Sequence, residues 1–254
     1  MKRSALVFAS IALLRAQAPV EFEVASVKVD KQGTGVRGGC HGFDSKFLTG
    51  DPASATPLGR CVITAGRLSH MIGIAWQLPM DSIKDGPDWV MRGFDRFDVQ
   101  AEAENKRTAT DAQLRSMLQA MLIERFQLKF HRETVERAGW ALAIGEHSPR
   151  MKVAEGEDYG AQMGDFKAAG GPVDFRARAF DMAHLAQMLS VFDHKPVVDE
   201  TGLHGSYDLT LHWDNDQGPT LETAVREQLG LKLVPKKVPV ELFVIDSAQK
   251  PSAN

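Results

Sequence analysis

The sequence lacks the short motifs that mark the commonest catalytic sites. It contains no GxxxxGK[ST] phosphate loop, no GxSxG serine elbow, no HExxH zinc pair and no CxxCH haem attachment site. One glycine motif, Gly33-x-Gly35-x-x-Gly38, has the spacing of a dinucleotide fingerprint but no helical pattern begins there, so it is interpreted as a loop. We therefore expect no bound cofactor or metal, and the sequence identifies no catalytic residue.

The sequence also lacks an apolar segment long enough to span a membrane. Its N-terminal apolar run, Ser4–Leu14, has eleven residues, whereas a membrane helix needs roughly 18. Two basic residues precede this run and Ala16-Gln17-Ala18 follows it, a pattern typical of a secretory signal peptide. The sequence thus predicts a signal peptide over 1–18 and a mature chain outside the cytoplasm, in the periplasm or secreted. An uncleaved anchor and a buried N-terminal helix are the alternatives.

An excess of basic residues is also absent. Removal of the signal peptide takes Lys2, Arg3 and Arg15 with it and changes the formal charge from −3 to −6. A mildly acidic surface argues against non-specific binding to nucleic acids or to anionic membranes, since both require a basic face. We expect neither a nucleic-acid partner nor a membrane span in the mature chain.

Cysteine is scarce, and both cysteines lie in the same stretch of the chain. In an oxidising compartment Cys40 and Cys61 are expected to form one disulfide, which would stabilise the irregular segment 33–61 by about 3 kcal/mol through the unfolded state. The alternative is a metal site that adds His41 and perhaps His70. The spacing of these residues matches no compact zinc motif.

The second half of the sequence repeats the plan of the first half. Residues 125–130 (RFQLKF) return 103 positions later as residues 228–233 (QLGLKL), each time after an amphipathic helix. Six elements follow in the same order in both halves, which predicts two copies of one unit. Two similar β-α-β-α-β-β units give an α+β fold, with mostly antiparallel sheets packed by helices.

The boundaries of these units follow from the periodicity. We predict a first α+β unit over 19–145, a linker or surface loop over 146–172, and a second α+β unit over 173–254. Each unit is expected to end in two short strands, which the second unit joins across a turn at Lys236-Lys237. Helix starts are expected at three caps followed by apolar stripes, namely Thr110 (with Gln113), Asp181 and Thr220.

Two pairs of carboxylates are the strongest candidates for acid–base chemistry. Asp95 and Asp98 flank the entry to one strand, and Asp199 and Glu200 precede a turn near His204. A cleft that gathers them would indicate a hydrolase. The favoured interpretation is structural, because Asp side chains hydrogen-bond turn backbone and charges occupy the exposed face of an edge strand.

The eight histidines are scattered, and no pair has the i, i+4 spacing of a metal site on a helix. His70 and His184 fall at corresponding places in the first helices of the two units. Both are interpreted as surface or boundary residues. Trp89 after its turn is interpreted as a plug of the core, with an exposed ligand platform as the alternative.

Blocks over nearly the whole mature chain resemble the soil-associated bacterial family of unknown function. The blocks are FEVASVK (22–28), GPDW (86–89), RFDV (96–99), LxxRFxLKxHRET (122–134), PVVDxTGL (196–203) and EQLGLKL (227–233). The resemblance implies an exported protein without an established activity. Some family members are fused to metallopeptidase-like sensor modules, which implies a sensory or binding role. The segment between Cys40 and Cys61 departs from the family pattern.

Each half is also similar, more faintly, to the short N-terminal domain of secretins and TonB-dependent receptors. The similarity is carried by LAQML (185–189), VVD (197–199) and GxYxLxL (205–211). Those domains bind partner proteins in the envelope. The sequence therefore favours a non-catalytic binding module that takes an envelope protein or a cell-surface polymer. An extracytoplasmic hydrolase with carboxylates at the inter-unit cleft and a purely structural envelope protein are the alternatives.

Overall fold

The computed structural model describes residues 21–31, 33, 35–47, 51–146, 148–156, 160–163 and 171–251, with the main chain alone for 161–163. The predicted signal peptide at 1–18 lies outside these ranges. Helices and strands are mixed within one chain, and most strand pairs are antiparallel. This confirms the predicted α+β class.

The first unit begins with three strands and continues with alternating helices and strands. Its elements are β1 (Val24–Asp30), β2 (Arg37–His41), β3 (Arg60–Gly66), α1 (Leu68–Trp76), β4 (Ile83–Asp85), α2 (Asp88–Met91), β5 (Arg96–Glu102), α3 (Asp111–Arg125) and β6 (Lys129–Ile144).

The second unit runs in nearly the same order. Its elements are β7 (Lys152–Val153), β8 (Gly160–Met163), β9 (Val173–Phe180), α4 (Met182–Asp193), β10 (Val197–Asp199), β11 (Tyr207–Trp213), α5 (Leu221–Ala224) and β12 (Leu231–Ser247). A π-helical turn, Val225–Leu229, extends α5 toward β12.

The strands form three four-stranded sheets. The first-unit sheet has the order β1-β5-β3-β2, and the second-unit sheet has the order β7-β11-β9-β8. These orders are equivalent strand for strand, so β7 and β8 correspond to β1 and β2. Both strands lie within 146–172, the segment that the composition marks as a linker or surface loop. Strands of two and four residues are too short to show a periodicity.

The same backbone conformation occurs near the end of β3 in the first unit and of β9 in the second. Ala65 at the end of β3 and Ala179 at the end of β9 both have left-handed φ angles, 53° and 50°. Their N–H groups donate to Asp98 Oδ1 at 2.9 Å and to Asp208 Oδ1 at 3.1 Å. A left-handed alanine is unfavourable, and each Asp side chain offsets part of that cost by satisfying the N–H group.

The helix caps form as the sequence predicts. Thr110 Oγ1 accepts the Gln113 N–H group at 3.1 Å, and Gln113 Oε1 accepts the Thr110 N–H group at 2.9 Å. Asp181 accepts the N–H group of His184 at the start of α4, and Thr220 caps α5. The predicted stripe on α3 is buried, namely Leu114, Met117, Leu118, Met121 and Leu122.

The central sheet, in the order β10-β6-β12-β4, corrects the prediction of two short strands at the end of each unit. β6 and β12 are continuous strands of 16 and 17 residues that pair antiparallel with each other, and no turn forms at Lys236-Lys237. Pro235 is tolerated because its partner, Trp140, directs its own N–H group to Pro196. The pair at Pro235 is therefore not a hydrogen-bonded one, and proline removes no ladder bond there.

The two units are related by a local twofold axis that passes between the paired strands β6 and β12. Glu136 pairs with Pro239, its own equivalent 103 positions later in the sequence. On either side of this pair, β6 and β12 each run from their own unit into the other one. β4 of the first unit then pairs in parallel with β12, and β10 of the second unit pairs in parallel with β6.

There are two hydrophobic cores among the described residues, and each contains a strand end from the other unit. Phe243 and Ile245, at the end of β12, belong to the core of the first unit. Leu142, at the end of β6, belongs to the core of the second unit, and Trp140 packs against it. Phe243 stacks on Phe130 with ring centroids 4.1 Å apart. The units have therefore exchanged the ends of their last strands.

Candidate functional site

The first pair of candidate carboxylates has structural partners. Asp95 forms an ion pair with Lys250 (Oδ1 to Nζ 2.8 Å), near the C-terminal end of the described chain. Asp98 accepts the N–H group of Ala65, as described above. Lys250 also lies 5.9 Å from the centre of the Trp89 ring, which packs between Phe97 and Phe126 of the core. Trp89 therefore lies against the core, as its interpretation as a plug predicts.

The second pair lies in and beside the turn after β10. Asp199 Oδ1 accepts both the N–H group of Thr201 (2.9 Å) and its hydroxyl (2.8 Å). Glu200 pairs with Lys236 on the exposed middle of β12. The carbonyl of His204 accepts the Tyr207 hydroxyl. Across the part of the chain that the structure describes, no hydrogen bond or ion pair joins these residues to Asp95 or Asp98.

His70 and His184 occupy the third position of α1 and α4, as their place in the repeat predicts. His70 Nδ1 accepts the N–H group of Arg67, and burial together with the charges of Arg67 and Arg96 lowers the pKa of His70. His184 Nδ1 lies 2.8 Å from Asp181 Oδ1. Each imidazole thus contacts the N-cap residue of its own helix, Arg67 in α1 and Asp181 in α4.

The two cysteines form a disulfide between β2 and β3. They are direct partners in the ladder, and both are almost completely buried. Their sulfur atoms are bonded to each other and offer no thiolate for a metal, while His41 Nδ1 lies 2.5 Å from the Thr56 carbonyl. No group of three or more metal-ligating side chains occurs among the described residues.

A small cavity of about 440 Å³ lies at the seam between the units. Across this cavity, His184 from α4 faces residues of α3 and of segment 33–61, called the disulfide segment because it contains both cysteines. The polar groups there bind each other: Asp111 accepts the Ser45 hydroxyl (2.9 Å) and the Arg115 Nε–H group (2.5 Å), and its N–H group donates to Asp44. This network fixes the disulfide segment to the start of α3.

A larger open groove of about 900 Å³ lies on the outer face of the second-unit sheet. Among the described residues, its lining contains four basic side chains and one acid, namely Arg150, Lys152, Arg176, Arg178 and Asp208. Phe47 of the first unit borders this groove and the seam cavity alike. Sequence reasoning missed these bases. The signal was present in β9, where buried Phe175 and Ala177 alternate with exposed Arg176 and Arg178.

The edge of the first-unit sheet is the second exposed feature. β1 pairs with β5 along all seven of its residues, and β5 is its only strand neighbour among the described residues. The carbonyl of Glu102 faces β1, where it accepts the Glu23 N–H group, and Ala103 donates to Gly59 on the other side. Because these directions alternate along a strand, Ala25, Val27 and Val29 direct their main-chain groups to the free edge.

Most of the chain matches a known protein family. A family model described as protein of unknown function (DUF3738) matches residues 69–248. No curated protein and no solved structure matches the chain. Over the described residues, no helix is long and apolar enough to cross a membrane.

Proposed function

This chain belongs to the DUF3738 family of proteins of unknown function, and we propose that it is a non-catalytic binding module of the cell envelope. Its partner is a protein that adds an extended strand to the free edge of β1. The observation that carries the proposal is the length of that edge, seven residues that pair with a strand on one side only within the described part of the chain. Strand addition satisfies such main-chain groups and is a common mode of peptide recognition.

An extracytoplasmic location is supported by two features. The N-terminal sequence has the pattern of a secretory signal peptide. Both cysteines of the sequence are joined in a disulfide, a bond that persists in oxidising compartments and is rare in the cytosol.

The chemistry of the edge favours an extended polypeptide with an apolar side chain near each end, one on each face of the sheet, because Val24 and Val29 are five positions apart on β1. Val24 and Val29 are 58% and 55% exposed at the two ends of β1, whereas Val27 between them is buried in the core. An added strand would gain main-chain hydrogen bonds from Ala25, Val27 and Val29, and its apolar side chains would cover the exposed valines. The equivalent edge in the second unit is only two residues long, β7, and offers no comparable template.

The hydrolase alternative is weakened by the contacts of the candidate carboxylates. Asp98 and Asp199 hold backbone N–H groups, and Asp95 and Glu200 are neutralised by lysines. A general acid or base must instead present a proton-transfer atom to a substrate.

The test compares two substitutions at Val29 in the mature chain. Val29→Pro removes an N–H group that points to the free edge, so it costs the partner strand a hydrogen bond without breaking the pairing with β5. Val29→Ala removes both γ-methyl groups of the valine but keeps the N–H group, so it controls for the loss of the native side chain. We expect envelope proteins captured by the wild-type chain and by Val29→Ala to be lost with Val29→Pro.

Amide hydrogen exchange of the purified complex then locates the contact. The N–H groups of Ala25, Val27 and Val29 should gain protection when the partner binds. Equal capture by Val29→Pro, or unchanged exchange at these three amides, would contradict the proposal. Turnover of a substrate in a broad hydrolase panel, or β1-to-β1 pairing of two copies seen by light scattering, would replace it with another function.

A further inference from the structure

We propose that the groove on the second-unit sheet, called here the basic groove and lined by Arg150, Lys152, Arg176 and Arg178, binds an acidic glycan. The sequence, the family match and the role proposed for β1 do not assign this site. The inference does not depend on strand addition at β1, because the basic groove is formed almost entirely by the other unit.

Two arginines on β9 form the centre of the basic groove. Arg176 and Arg178 are two positions apart on one strand, so their side chains leave the same face of the sheet about 7 Å apart. Both are exposed, and no ion pair or hydrogen bond to a described residue engages either guanidinium group. Each can therefore offer a planar set of donors to a carboxylate.

The neighbouring strands leave space beside these arginines. Thr210 on β11 is the ladder partner of Arg176, and Gly160 on β8 is the partner of Arg178. A Cβ atom at Gly160 would meet no atom within 4 Å, so the surface beside Arg178 is open. The Thr210 hydroxyl is exposed on the same face, where it can bind a hydroxyl group of a sugar.

The side of the basic groove is held in position by Arg150. Its main-chain N–H group donates to the Leu229 carbonyl (2.9 Å), and its Nη1 donates to the Glu227 carbonyl (2.7 Å). Asp208, the one acid in the described lining, already uses Oδ1 for the Ala179 N–H group. Four cations and one anion line the described part of the groove, and Lys152 is paired with Glu155 (2.9 Å), so the excess positive charge comes from the three arginines, on a chain whose mature sequence is acidic overall. This charge arrangement selects an anionic ligand.

Three observations favour a glycan over other polyanions. The basic groove lies over the face of the sheet, where the main chains of β9 and β11 already pair with each other, so a peptide would gain no ladder bonds there. Phe47 is the only aromatic residue in the part of the lining that the structure describes, whereas single-stranded nucleic acids require stacking platforms. The acidic protein as a whole repels a densely charged duplex. A chain of spaced carboxylates and hydroxyls fits side-chain donors alone.

The probe is a short oligogalacturonide, and its fully methyl-esterified form is the matched neutral control. Titration calorimetry with the full mature chain should detect binding of the acid form that weakens as salt is added. The double variant Arg176→Gln/Arg178→Gln should weaken binding by tenfold or more, because it removes two charge-assisted contacts. Both side chains are exposed, so circular dichroism should remain that of the wild type.

A second double variant controls for overall charge. Arg37→Gln/Lys232→Gln removes two exposed cations outside the lining and should change the affinity less than twofold. The proposal is overturned if the esterified form binds equally well, if the groove variant binds like the wild type, or if the acid form does not bind. Tighter binding of oligoglutamate or of single-stranded DNA would assign the basic groove to a different ligand class and would equally overturn it.

Discussion

The two units share their internal construction but differ in what they expose. Both have the same sheet order, a left-handed alanine held by an aspartate, and a histidine in the first turn of the first helix. Within the described ranges, only the first unit has a disulfide and a seven-residue free edge, and only the second has the basic groove. The shared features and the disulfide serve folding, whereas the free edge and the basic groove are the two surfaces for which we propose partners.

The exchanged strand ends make the strongest prediction. Phe243→Ala should lower the free energy of unfolding by about 3–5 kcal/mol, because the ring is buried and packs on Phe130 and Trp76. Although Phe243 belongs to the second unit in sequence, hydrogen exchange should accelerate chiefly in the first-unit sheet. Leu233→Ala, on the same strand but in the other core, is the matched control and should accelerate the second-unit sheet. The reverse pattern would refute the exchange.

The disulfide makes the next largest difference between the units. Cys40→Ala/Cys61→Ala should destabilise the chain by about 3 kcal/mol, since the bond closes a loop of 21 residues in the unfolded state. Denaturant unfolding measures the loss, and reduction of the wild-type chain should reproduce it. In hydrogen-exchange experiments, the loss of amide protection should be concentrated in β2 and β3. An unchanged midpoint would mean that the disulfide does not limit the stability of the first unit.

The two aspartates that accept the N–H groups of the left-handed alanines should contribute equally to the free energy of unfolding. Asp98→Ala and Asp208→Ala each leave a buried N–H group without its acceptor, which should cost about 1–3 kcal/mol. Asp→Asn at either position keeps an acceptor oxygen and should restore most of the loss. Thermal unfolding of the four variants is the measurement. A large effect in one unit alone would show that the shared geometry does not carry the same energy in both.

The smallest effect concerns a histidine at one end of the central sheet. The carboxylates of Glu133 and Asp246, both hydrogen-bonded to the ring, raise the pKa of His131 above its usual value. The resulting stabilisation is fully present below pH 6.5, where the unfolded-state histidine is also protonated, and it is lost as the pH rises through the raised pKa. The position equivalent to His131 in the repeat is Val234.

His131→Gln should therefore flatten the pH dependence of unfolding above pH 6.5. The effect is small because the side chains are exposed to solvent and salt screens them. Val234→Gln, at the equivalent place, should leave the pH dependence unchanged. If the free energy of unfolding changed equally between pH 6 and pH 9 in the wild type and in His131→Gln, the assignment would be contradicted.

Much of the fold follows from local patterns, and the parts that do not follow depend on distant partners. The Thr110 cap, the α3 stripe and the alternation in β5 are each encoded within a few residues, so the sequence predicts them correctly. Lys236-Lys237 between Pro235 and Pro239 has the composition of a turn. It is extended because β6 pairs with it, and that partner lies about a hundred positions earlier in the chain.

The candidate sites show the same division. The charges of Arg176 and Arg178 are visible in the sequence as an alternation, but only the sheet order shows that their face carries a groove. Asp98 looks like a free carboxylate in sequence, because nothing local predicts a left-handed Ala65 that needs its oxygen. The free edge of β1 likewise depends on which strand lies next to it.

Fragment complementation tests the exchange of strand ends most directly. The segments 19–145 and 146–254 are prepared separately, and their near-ultraviolet circular dichroism is recorded alone and after mixing. We predict that neither segment alone gives a native spectrum, because the first core lacks Phe243 and Ile245 and the second lacks Leu142. Mixing should restore the native spectrum. A cooperatively folded, native-like spectrum from either segment alone would contradict the account.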